Sequence, residues 1–287
     1  MANPMPSLVT RERAQRNINQ ASFTAAENTL TDALVQSVSD KIRAYCRREF
    51  NTKLYDERYD GNGYERLLLN QYPIDSVDRV ATGRTTLLEV TNTNTSTQRA
   101  SVAVTKDGLT LQRVASGTPT TVTSVTWSSY ATLTLVAAAI DAIGSGWDGR
   151  VLSSAYNNWP SADLYYPQGA FNCLNTQAGL DVYTEELADF EIEPKQGYLT
   201  RLAGWSEGIM NYRVLYTAGY IAVPEDVREA CAQTIAAFYW QCKRDPGLIQ
   251  ESVAGELTRI TAIHRDSLTP IVKGLLAPYR KYTGRRA

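Results

Sequence analysis

Two stretches that lie far apart in the chain carry the periodicity of amphipathic helices. In the first, apolar side chains recur every three to four residues from Leu30, and the helix is expected to end near Phe50. The second begins at Val223-Pro-Glu-Asp226, where a proline and two acidic residues favour a helix start. The predicted buried stripes are Leu30, Leu34, Val38, Ile42 and Tyr45 in the first helix and Val227, Cys231, Ile235, Phe238 and Cys242 in the second.

Strand patterns adjoin both helices. The turn Asp60-Gly-Asn-Gly63 lies between a tyrosine-rich and a leucine-rich run and predicts a β-hairpin. A further strand pattern follows in Tyr72–Val80, and Asn211–Tyr216 alternates as a strand before the second helix. These elements predict one small core domain that is divided between two parts of the chain.

Between residues 84 and 200 the composition shifts to threonine, serine, asparagine and valine, and the pattern becomes one of short strands. Lys106-Asp-Gly108 predicts a hairpin turn, and Leu133–Ile143 predicts a short helix that ends at Gly144-Ser-Gly146. The strand-like runs are Thr85–Val90, Ser101–Thr105, Leu109–Val114 and Thr121–Trp127. This region is therefore predicted to be an inserted β-rich domain.

The remaining segments give weaker patterns. Residues 1–28 are polar with little periodicity, so we expect an extended or weakly ordered arm. Residues 248–267 are expected to be helical or partly ordered, and Pro270–Ala277 to form a short helix that Pro278 ends. Tyr279–Ala287 would then be a basic tail.

The predicted fold class is α+β: a small helical core domain with a short β-hairpin or sheet, interrupted by a β-rich insertion domain. The predicted divisions are an N-terminal arm (1–28), the first part of the core domain (29–83), the insertion (84–200), the second part of the core domain (201–270) and a C-terminal arm (271–287).

The charge balance argues against a general nucleic-acid binder, because the 287 residues carry a formal net charge of −1 rather than a basic excess. The charges are nevertheless segregated. Residues 181–193 contain acidic residues and no base, whereas the last fifteen residues contain Lys273, Arg280, Lys281, Arg285 and Arg286 and no acid. Two interpretations stay open: head-to-tail association through opposite charges, or two solvated surface patches.

The sequence offers little for catalysis. His264 is the single histidine, so one chain cannot build a histidine-containing nucleophile triad or a multi-histidine metal site. The four cysteines form no metal-ligand spacing, and no phosphate-binding glycine loop occurs. Carboxylates at 185–193 could form a glycosidase-like pair or an exposed acidic face. We therefore expect no enzymatic activity, no cofactor and no metal.

Neither a signal peptide nor a membrane span is expected. The first residues are polar and lack the apolar core of a signal peptide. The most apolar run, Leu133–Ile143, is about half the length of the ~20 residues that a membrane helix needs.

One polar loop is rich in aromatic residues, and three roles are open for it. Its aromatic residues are Tyr156, Trp159, Tyr165 and Tyr166. Such side chains can stack on sugar rings, form a contact with a protein partner, or fold back as the local core of the insertion. We name these four residues as candidate partner-interface residues.

Several short segments, taken in their order along the chain, resemble the head–tail connector (adaptor) proteins of long-tailed double-stranded DNA bacteriophages. They are Tyr45-Cys-Arg-Arg-Glu-Phe50, Tyr59-Asp-Gly-Asn-Gly63 leading to Leu67-Leu-Leu69, Tyr72-Pro-Ile74, Tyr216-Thr-Ala-Gly-Tyr220, Val223-Pro-Glu-Asp-Val227 and Leu275-Leu-Ala-Pro-Tyr-Arg280. The long insertion at 84–200 is a departure, because compact members of the family lack it.

The resemblance implies a structural role in the virion. Proteins of this family form a ring, usually of twelve copies, beneath the portal, and they present a docking surface to the next neck (stopper) or tail protein. Double-stranded DNA passes through the ring without sequence specificity, and the family is not enzymatic. The resemblance thus implies synthesis in the host cytoplasm and assembly into the virion neck, with a heterologous interface between copies.

The resemblance also implies a binding site for the portal protein, and we place it in the C-terminal segment. The candidate residues are Pro278, Tyr279, Arg280, Lys281, Arg285 and Arg286. They would form an arm that becomes ordered on binding, as charged tails often do. A solvated tail is the alternative. Two other functions stay open: a different neck or tail-completion protein, and a carbohydrate- or surface-recognition protein that acts through the insertion.

Overall fold

The computed structural model describes residues 6–166, 169–243, 250–253, 257–260 and 268–281. It confirms the α+β class, with helices and antiparallel strands in several sheets. The helices are α1 (Arg11–Ile18), α2 (Ala25–Cys46), α3 (Leu133–Ala142), α4 (Glu225–Cys242) and α5 (Pro270–Leu276).

Sixteen strands accompany the helices within the described part of the chain. They are β1 (Lys53–Gly61), β2 (Arg66–Leu68), β3 (Ile74–Thr82), β4 (Thr85–Asn92), β5 (Thr97–Val104), β6 (Gly108–Ala115), β7 (Thr118–Thr126), β8 (Trp147–Val151), β9 (Ala170–Asn172), β10 (Ala178–Val182), β11 (Glu185–Glu186), β12 (Glu191–Glu193), β13 (Tyr198–Thr200), β14 (Gly208–Ala218), β15 (Gln250–Val253) and β16 (Leu257–Ile260).

The chain divides into two compact units. The first, the helical unit, comprises Met1–Lys53, Asn70–Asp75 and Ala218–Ala287. The second, the strand unit, comprises Leu54–Leu69 and Ser76–Thr217. Most of β1, β3 and β14 therefore belongs to the same unit as the insertion, whereas the predicted boundaries at 83 and 200 placed these strands with the helices. These strands hydrogen-bond to one another in one sheet, and Arg79 of β3 and Arg213 of β14 contact Asp163 of the insertion.

Helix α2 is the longest helix of the helical unit, and its start is fixed by a capping box. The Thr24 hydroxyl accepts a hydrogen bond from the Glu27 amide (3.3 Å), and the Glu27 carboxylate accepts one from the Thr24 amide (2.8 Å). The predicted stripe is confirmed: Val38 and Ile42 are fully buried, and its other members are partly buried. The helix begins earlier than Leu30 because the cap lies before its apolar stripe.

The N-terminal segment is not an extended arm, so that prediction was wrong for the described residues. Thr10 caps α1, and Leu8, Val9, Ala14 and Ile18 are buried in the core of the helical unit. The short helix is mostly polar, and two buried apolar side chains are too few to produce a recognisable period.

Helix α4 confirms most of the second predicted stripe. Val227, Cys231 and Ile235 are fully buried and Phe238 is partly buried, but Cys242 is exposed in the last turn. Pro224 is the N-cap rather than the first helical residue. The helix α5 is confirmed, with Thr269 as its cap and with Val272 and Leu276 buried.

Part of the segment 248–267 forms strands rather than the expected helical stretch. Gln250–Val253 pairs antiparallel with Leu257–Ile260. The β-branched residues Val253, Thr258 and Ile260 favour strands, and this local preference outweighs the helical interpretation. The rest of that segment lies outside the described residues.

The strand unit contains four sheets. Their strand orders are β1-β14-β3-β11, β10-β4-β8, β12-β13-β2 and β7-β6-β5-β9. The four strands predicted within the insertion are confirmed as β4 to β7, and β5 and β6 meet at the predicted turn. The predicted helix is confirmed as α3, and Gly144, Ser145 and Gly146 all have positive φ angles in the turn that follows it.

The hairpin predicted around Asp60-Gly-Asn-Gly63 is wrong, because β1 and β2 enter different sheets. Strand β1 lies beside β14, whereas β2 pairs with β13 and places Leu67 opposite Leu199, both buried. A turn is nevertheless present, since Gly63 has a φ of 75°. Gly61 is required there because a Cβ atom would lie 1.6 Å from the Ser206 carbonyl oxygen.

A buried ion network ties the aromatic loop to the sheet of β3 and β14. Asp163 is fully buried, and its carboxylate lies 2.9 Å from two nitrogens of Arg79. It also contacts Arg213, whose Nε donates to Asp56 at 2.8 Å. Removing one partner of such a network leaves buried charges without compensation.

We predict that Asp163→Ala lowers the free energy of unfolding of the strand unit by about 3–5 kcal/mol, because two arginines lose their buried counter-charge. Urea unfolding followed by tryptophan fluorescence measures the change. Asp148→Ala is the matched control, since Asp148 is exposed on β8 and its loss should change stability by less than about 0.5 kcal/mol. Equal effects of the two substitutions would show that the network is not stabilising.

Candidate partner-binding site

Most of the segments that carry the sequence resemblance meet in the helical unit around one arginine, whereas residues 59–63 and 67–69 lie in the strand unit. Phe50 and Tyr220 stack with ring centroids 6.3 Å apart, and Tyr279 contacts Phe50 at 6.2 Å and Tyr220 at 6.3 Å. The Arg48 guanidinium lies 4.1 Å from the centroid of the Tyr72 ring. We call Arg48, Phe50, Tyr72, Tyr220 and Tyr279 the Arg48 cluster.

The end of α2 places Arg48 and Phe50 in this cluster. The capping residue Arg47 adopts a left-handed conformation (φ 56°), and its backbone N–H donates to the Arg43 carbonyl. The chain then leaves the helix direction, and the Phe50 carbonyl accepts a hydrogen bond from the Tyr220 amide at 2.8 Å. The cluster thus depends on how the helix ends.

A second backbone contact brings the tyrosine segments together. The Gly219 amide donates to the Pro73 carbonyl at 2.9 Å. Gly219 has a φ of 124°, and a Cβ atom would lie 2.4 Å from the Asn51 carbonyl oxygen, so only glycine fits this approach. This close approach of the backbone explains why glycine occupies the fourth position of the motif Tyr216-Thr-Ala-Gly-Tyr220.

Arg48 is a buried cation that is stabilised without a carboxylate. Only 6% of the residue is exposed, and among the described residues it forms no ion pair. One guanidinium nitrogen donates to the Tyr279 carbonyl at 3.3 Å and another donates to the Tyr72 carbonyl. The Tyr72 and Tyr220 rings add cation–π attraction. The Nε atom is buried and lacks a hydrogen-bond partner within the described part of the chain.

Tyr279 is also fixed through its hydroxyl, which donates to the Asp226 carboxylate of α4 at 3.3 Å. Burial and the Asp226 charge both raise the pKa of Tyr279 above its ordinary value. The hydroxyl therefore stays protonated at neutral pH and remains a donor.

The structure describes four of the six predicted portal-binding residues, Pro278 to Lys281. Pro278 and Arg280 are exposed, and Tyr279 is a member of the cluster. The Lys281 amide donates to the Cys46 carbonyl at 2.9 Å, and its side chain donates to the Asn70 carbonyl at 2.8 Å. Arg285 and Arg286 lie outside the described residues.

The expectation of a tail that lies free from Tyr279 onwards is therefore wrong for 279–281. The helix α5 and the short 3-10 turn Ala277–Tyr279 direct the Tyr279 ring onto Phe50 and Tyr220. The sequence feature that indicated this packing is the aromatic side chain of Tyr279. The basic residues that follow it favoured the interpretation as a tail. The portal-binding role of these residues stays a prediction.

The aromatic loop of the strand unit is packed against that unit's core. Tyr156 and Trp159 contact edge to face at 5.4 Å, and the Trp159 indole donates to the Tyr183 carbonyl at 2.9 Å. Tyr165 is buried, and its hydroxyl donates to the Ile209 carbonyl at 2.7 Å; Tyr166 lies 4.2 Å from the Arg58 guanidinium. This packing accounts for all four as local core, and their partner-interface role stays a prediction.

The acidic belt at 181–193 is partly neutralised by arginines that are distant in sequence. The ion pairs are Arg79–Glu186 at 2.5 Å, Arg201–Asp189 at 2.9 Å and Arg66–Glu193 at 3.2 Å. Glu185 and Glu191 are exposed. The folded surface of this segment therefore carries less uncompensated negative charge than the sequence alone indicates.

The described part of the chain contains no group of three or more histidine, cysteine or acidic side chains that could hold a metal. His264 lies outside the described residues. Burial raises the pKa of Cys46 to about 11 and that of Cys173 and Cys231 to about 12, so these thiols stay protonated at neutral pH. Across the described helices, none is long and apolar enough to span a membrane.

Comparisons with known proteins give weak similarities. No family model matches the chain, and no curated protein matches it. A chain in the neck of an empty gene transfer agent particle, computed with C6 symmetry, is 12% identical with a TM-score of 0.43, covering 100% of this chain and 98% of its own length. A chain of the virion of a native gene transfer agent particle is 11% identical with a TM-score of 0.36, with coverage of 100% and 99%. Both TM-scores lie below 0.5, so neither similarity establishes a shared fold.

We predict that Arg48→Met lowers the free energy of unfolding of the helical unit by about 2–4 kcal/mol. The substitution removes the donor to two partly buried carbonyls and removes the cation–π contacts. Thermal or urea unfolding followed by circular dichroism measures the effect. Arg16→Met is the matched control, because Arg16 is exposed on α1. Unchanged stability of Arg48→Met would show that ring packing alone holds the cluster.

Proposed function

We propose that this chain is a structural protein of a bacteriophage virion. In this proposal it forms a ring under the portal, joins the head to the neck or tail, and extends the channel through which double-stranded DNA passes. Its role is mechanical, and it catalyses no reaction.

The observation that carries the proposal is the convergence of most of the resembling segments, those that lie in the helical unit. Segments from the end of α2, from Tyr72-Pro-Ile74, from the start of α4 and from the end of α5 lie far apart in sequence. They meet in the Arg48 cluster, where aromatic rings and backbone hydrogen bonds join them. Residues scattered by chance would not be expected to build one contiguous core. The convergence therefore supports a shared architecture with the connector family.

The gene transfer agent neck and virion chains come from assemblies of the kind that the proposal names. Their TM-scores are too low to support it, so the proposal rests on the motif residues and their packing.

The C-terminal segment is the proposed portal-binding site. Pro278 to Lys281 are held against the helical unit, and the two arginines Arg285 and Arg286 follow them in sequence. The β-rich insertion is proposed to support contacts with neighbouring copies or with the capsid or tail. A channel that lets DNA slide does not require strong phosphate binding, so the near-neutral charge is compatible with this role.

We predict that the purified protein forms a ring-sized species, or joins the portal protein encoded in the same genome in a fixed ratio. Light scattering after size exclusion, on each protein alone and on the mixture, measures the masses. The tail proteins of the same genome serve as the comparison, because binding to them instead of the portal would indicate another neck or tail-completion role. A monomer that ignores the portal would contradict the connector proposal.

We further predict that truncation after Lys281 weakens portal binding while leaving thermal stability unchanged. This truncation removes Arg285 and Arg286 but keeps the contacts of Tyr279 and Lys281. Truncation after Ala277 is the contrasting variant, and it should lower stability because it removes Tyr279 from the cluster. Full portal binding by the protein that ends at Lys281 would exclude the last six residues from the site.

A further inference from the structure

We infer that Arg280 is a preorganised guanidinium that binds a carboxylate of the portal protein, and that Arg48 positions it. This inference rests on the proposed function and deepens it, because it names the chemistry of the partner at that site.

The backbone on both sides of Arg280 is fixed. Before it, the Tyr279 carbonyl accepts from Arg48 at 3.3 Å; after it, the Lys281 amide donates to the Cys46 carbonyl at 2.9 Å. The Arg280 amide itself donates to the Ala277 carbonyl at 3.3 Å. Arg280 therefore projects from an ordered segment, and little backbone order has to be gained on binding.

The Arg280 side chain is exposed, but contact with an aromatic ring restricts its position. Its guanidinium carbon lies 5.3 Å from the centroid of the Tyr45 ring, on the last turn of α2. A guanidinium placed over a ring keeps its N–H donors available at its edge, and two of them match the two oxygens of a carboxylate.

Four other arginines of the helical unit have carboxylate partners, whereas exposed Arg16 and buried Arg48 form no ion pair with a described residue. Arg11 pairs with Asp32, Arg13 with Glu225 and Glu229, Arg43 with Asp40 and Glu49, and Arg228 with Glu225. Arg280 forms no ion pair with any described residue, and the fifteen C-terminal residues contain no acid. What distinguishes Arg280 from exposed Arg16 is its fixed backbone and its position beside the Tyr45 ring, and a fixed exposed cation of this kind suits an acidic segment of a protein partner.

Arg48 acts on this site indirectly. Its hydrogen bond to the Tyr279 carbonyl fixes the peptide that leads into Arg280. Replacing Arg48 would release the segment, so that Arg280 must be ordered again at each binding event. Arg48 is thus a positioning residue, and the contacting residue is Arg280.

The test measures portal binding by wild type, Arg280→Ala, Arg280→Lys and Arg280→Glu at two salt concentrations. We expect Arg280→Ala to weaken binding at least about tenfold, Arg280→Lys to weaken it less, and Arg280→Glu to weaken it most. Arg16→Ala is the control for loss of an exposed arginine from the same unit, and it should bind as wild type does.

Hydrogen exchange separates positioning from contact. Arg48→Met should raise exchange at the Lys281 amide and weaken binding, whereas Arg280→Ala should weaken binding without changing that exchange. If wild type binds the portal, and Arg280→Ala and Arg280→Glu each bind it as tightly as wild type does, the inference is wrong and the proposed function stands. If wild type does not bind the portal, both are wrong. If Arg48→Met does not fold, the Arg280 series still decides whether the contact exists.

Discussion

The fold of the helical unit depends on the burial of one positive charge. Only 6% of Arg48 is exposed, and no carboxylate among the described residues forms an ion pair with it. A buried guanidinium must then be met by carbonyl oxygens and aromatic faces. Tyr72, Tyr220 and Tyr279 supply these, and they come from three separate parts of the chain. The end of α2, the turn before α4 and the segment after α5 must therefore all be in place before the charge is stable.

The strand unit also contains a buried charge, and there ion pairs compensate it. Asp163 is fully buried, and Arg79 and Arg213 provide its counter-charges, while Asp56 balances Arg213. Three of these residues lie on β1, β3 and β14, and Asp163 belongs to the insertion loop. The strands β1, β3 and β14 and the inserted segment are therefore joined by buried charges. Such a network contributes little net stability compared with an apolar core, but it penalises any arrangement that leaves one member unpaired.

Sequence reasoning recovered the elements whose signal is local. The stripes of α2 and α4, the helix α3 and the strands β4 to β7 follow from periodicity and turn residues alone. It failed where partners are distant. The turn at Gly63 is real, but β2 pairs with β13 because Leu67 is buried opposite Leu199, a choice that no local pattern encodes. The packed position of Tyr279 was missed for the same reason, since its contacts are with Phe50 and Tyr220.

The Arg48 cluster also bears on the energetics of the binding site that we propose for the C-terminal segment. A tail that orders only on binding loses conformational entropy at that moment, and this cost reduces affinity. Here the entropy of residues 279–281 is lost during folding instead, because Tyr279 completes the cluster and Lys281 donates to the end of α2. A partner that binds Arg280 would contact the segment whose Tyr279 carbonyl accepts a hydrogen bond from Arg48. Binding and the stability of the helical unit are then linked through that segment, because a ligand that favours the docked segment also favours the folded state.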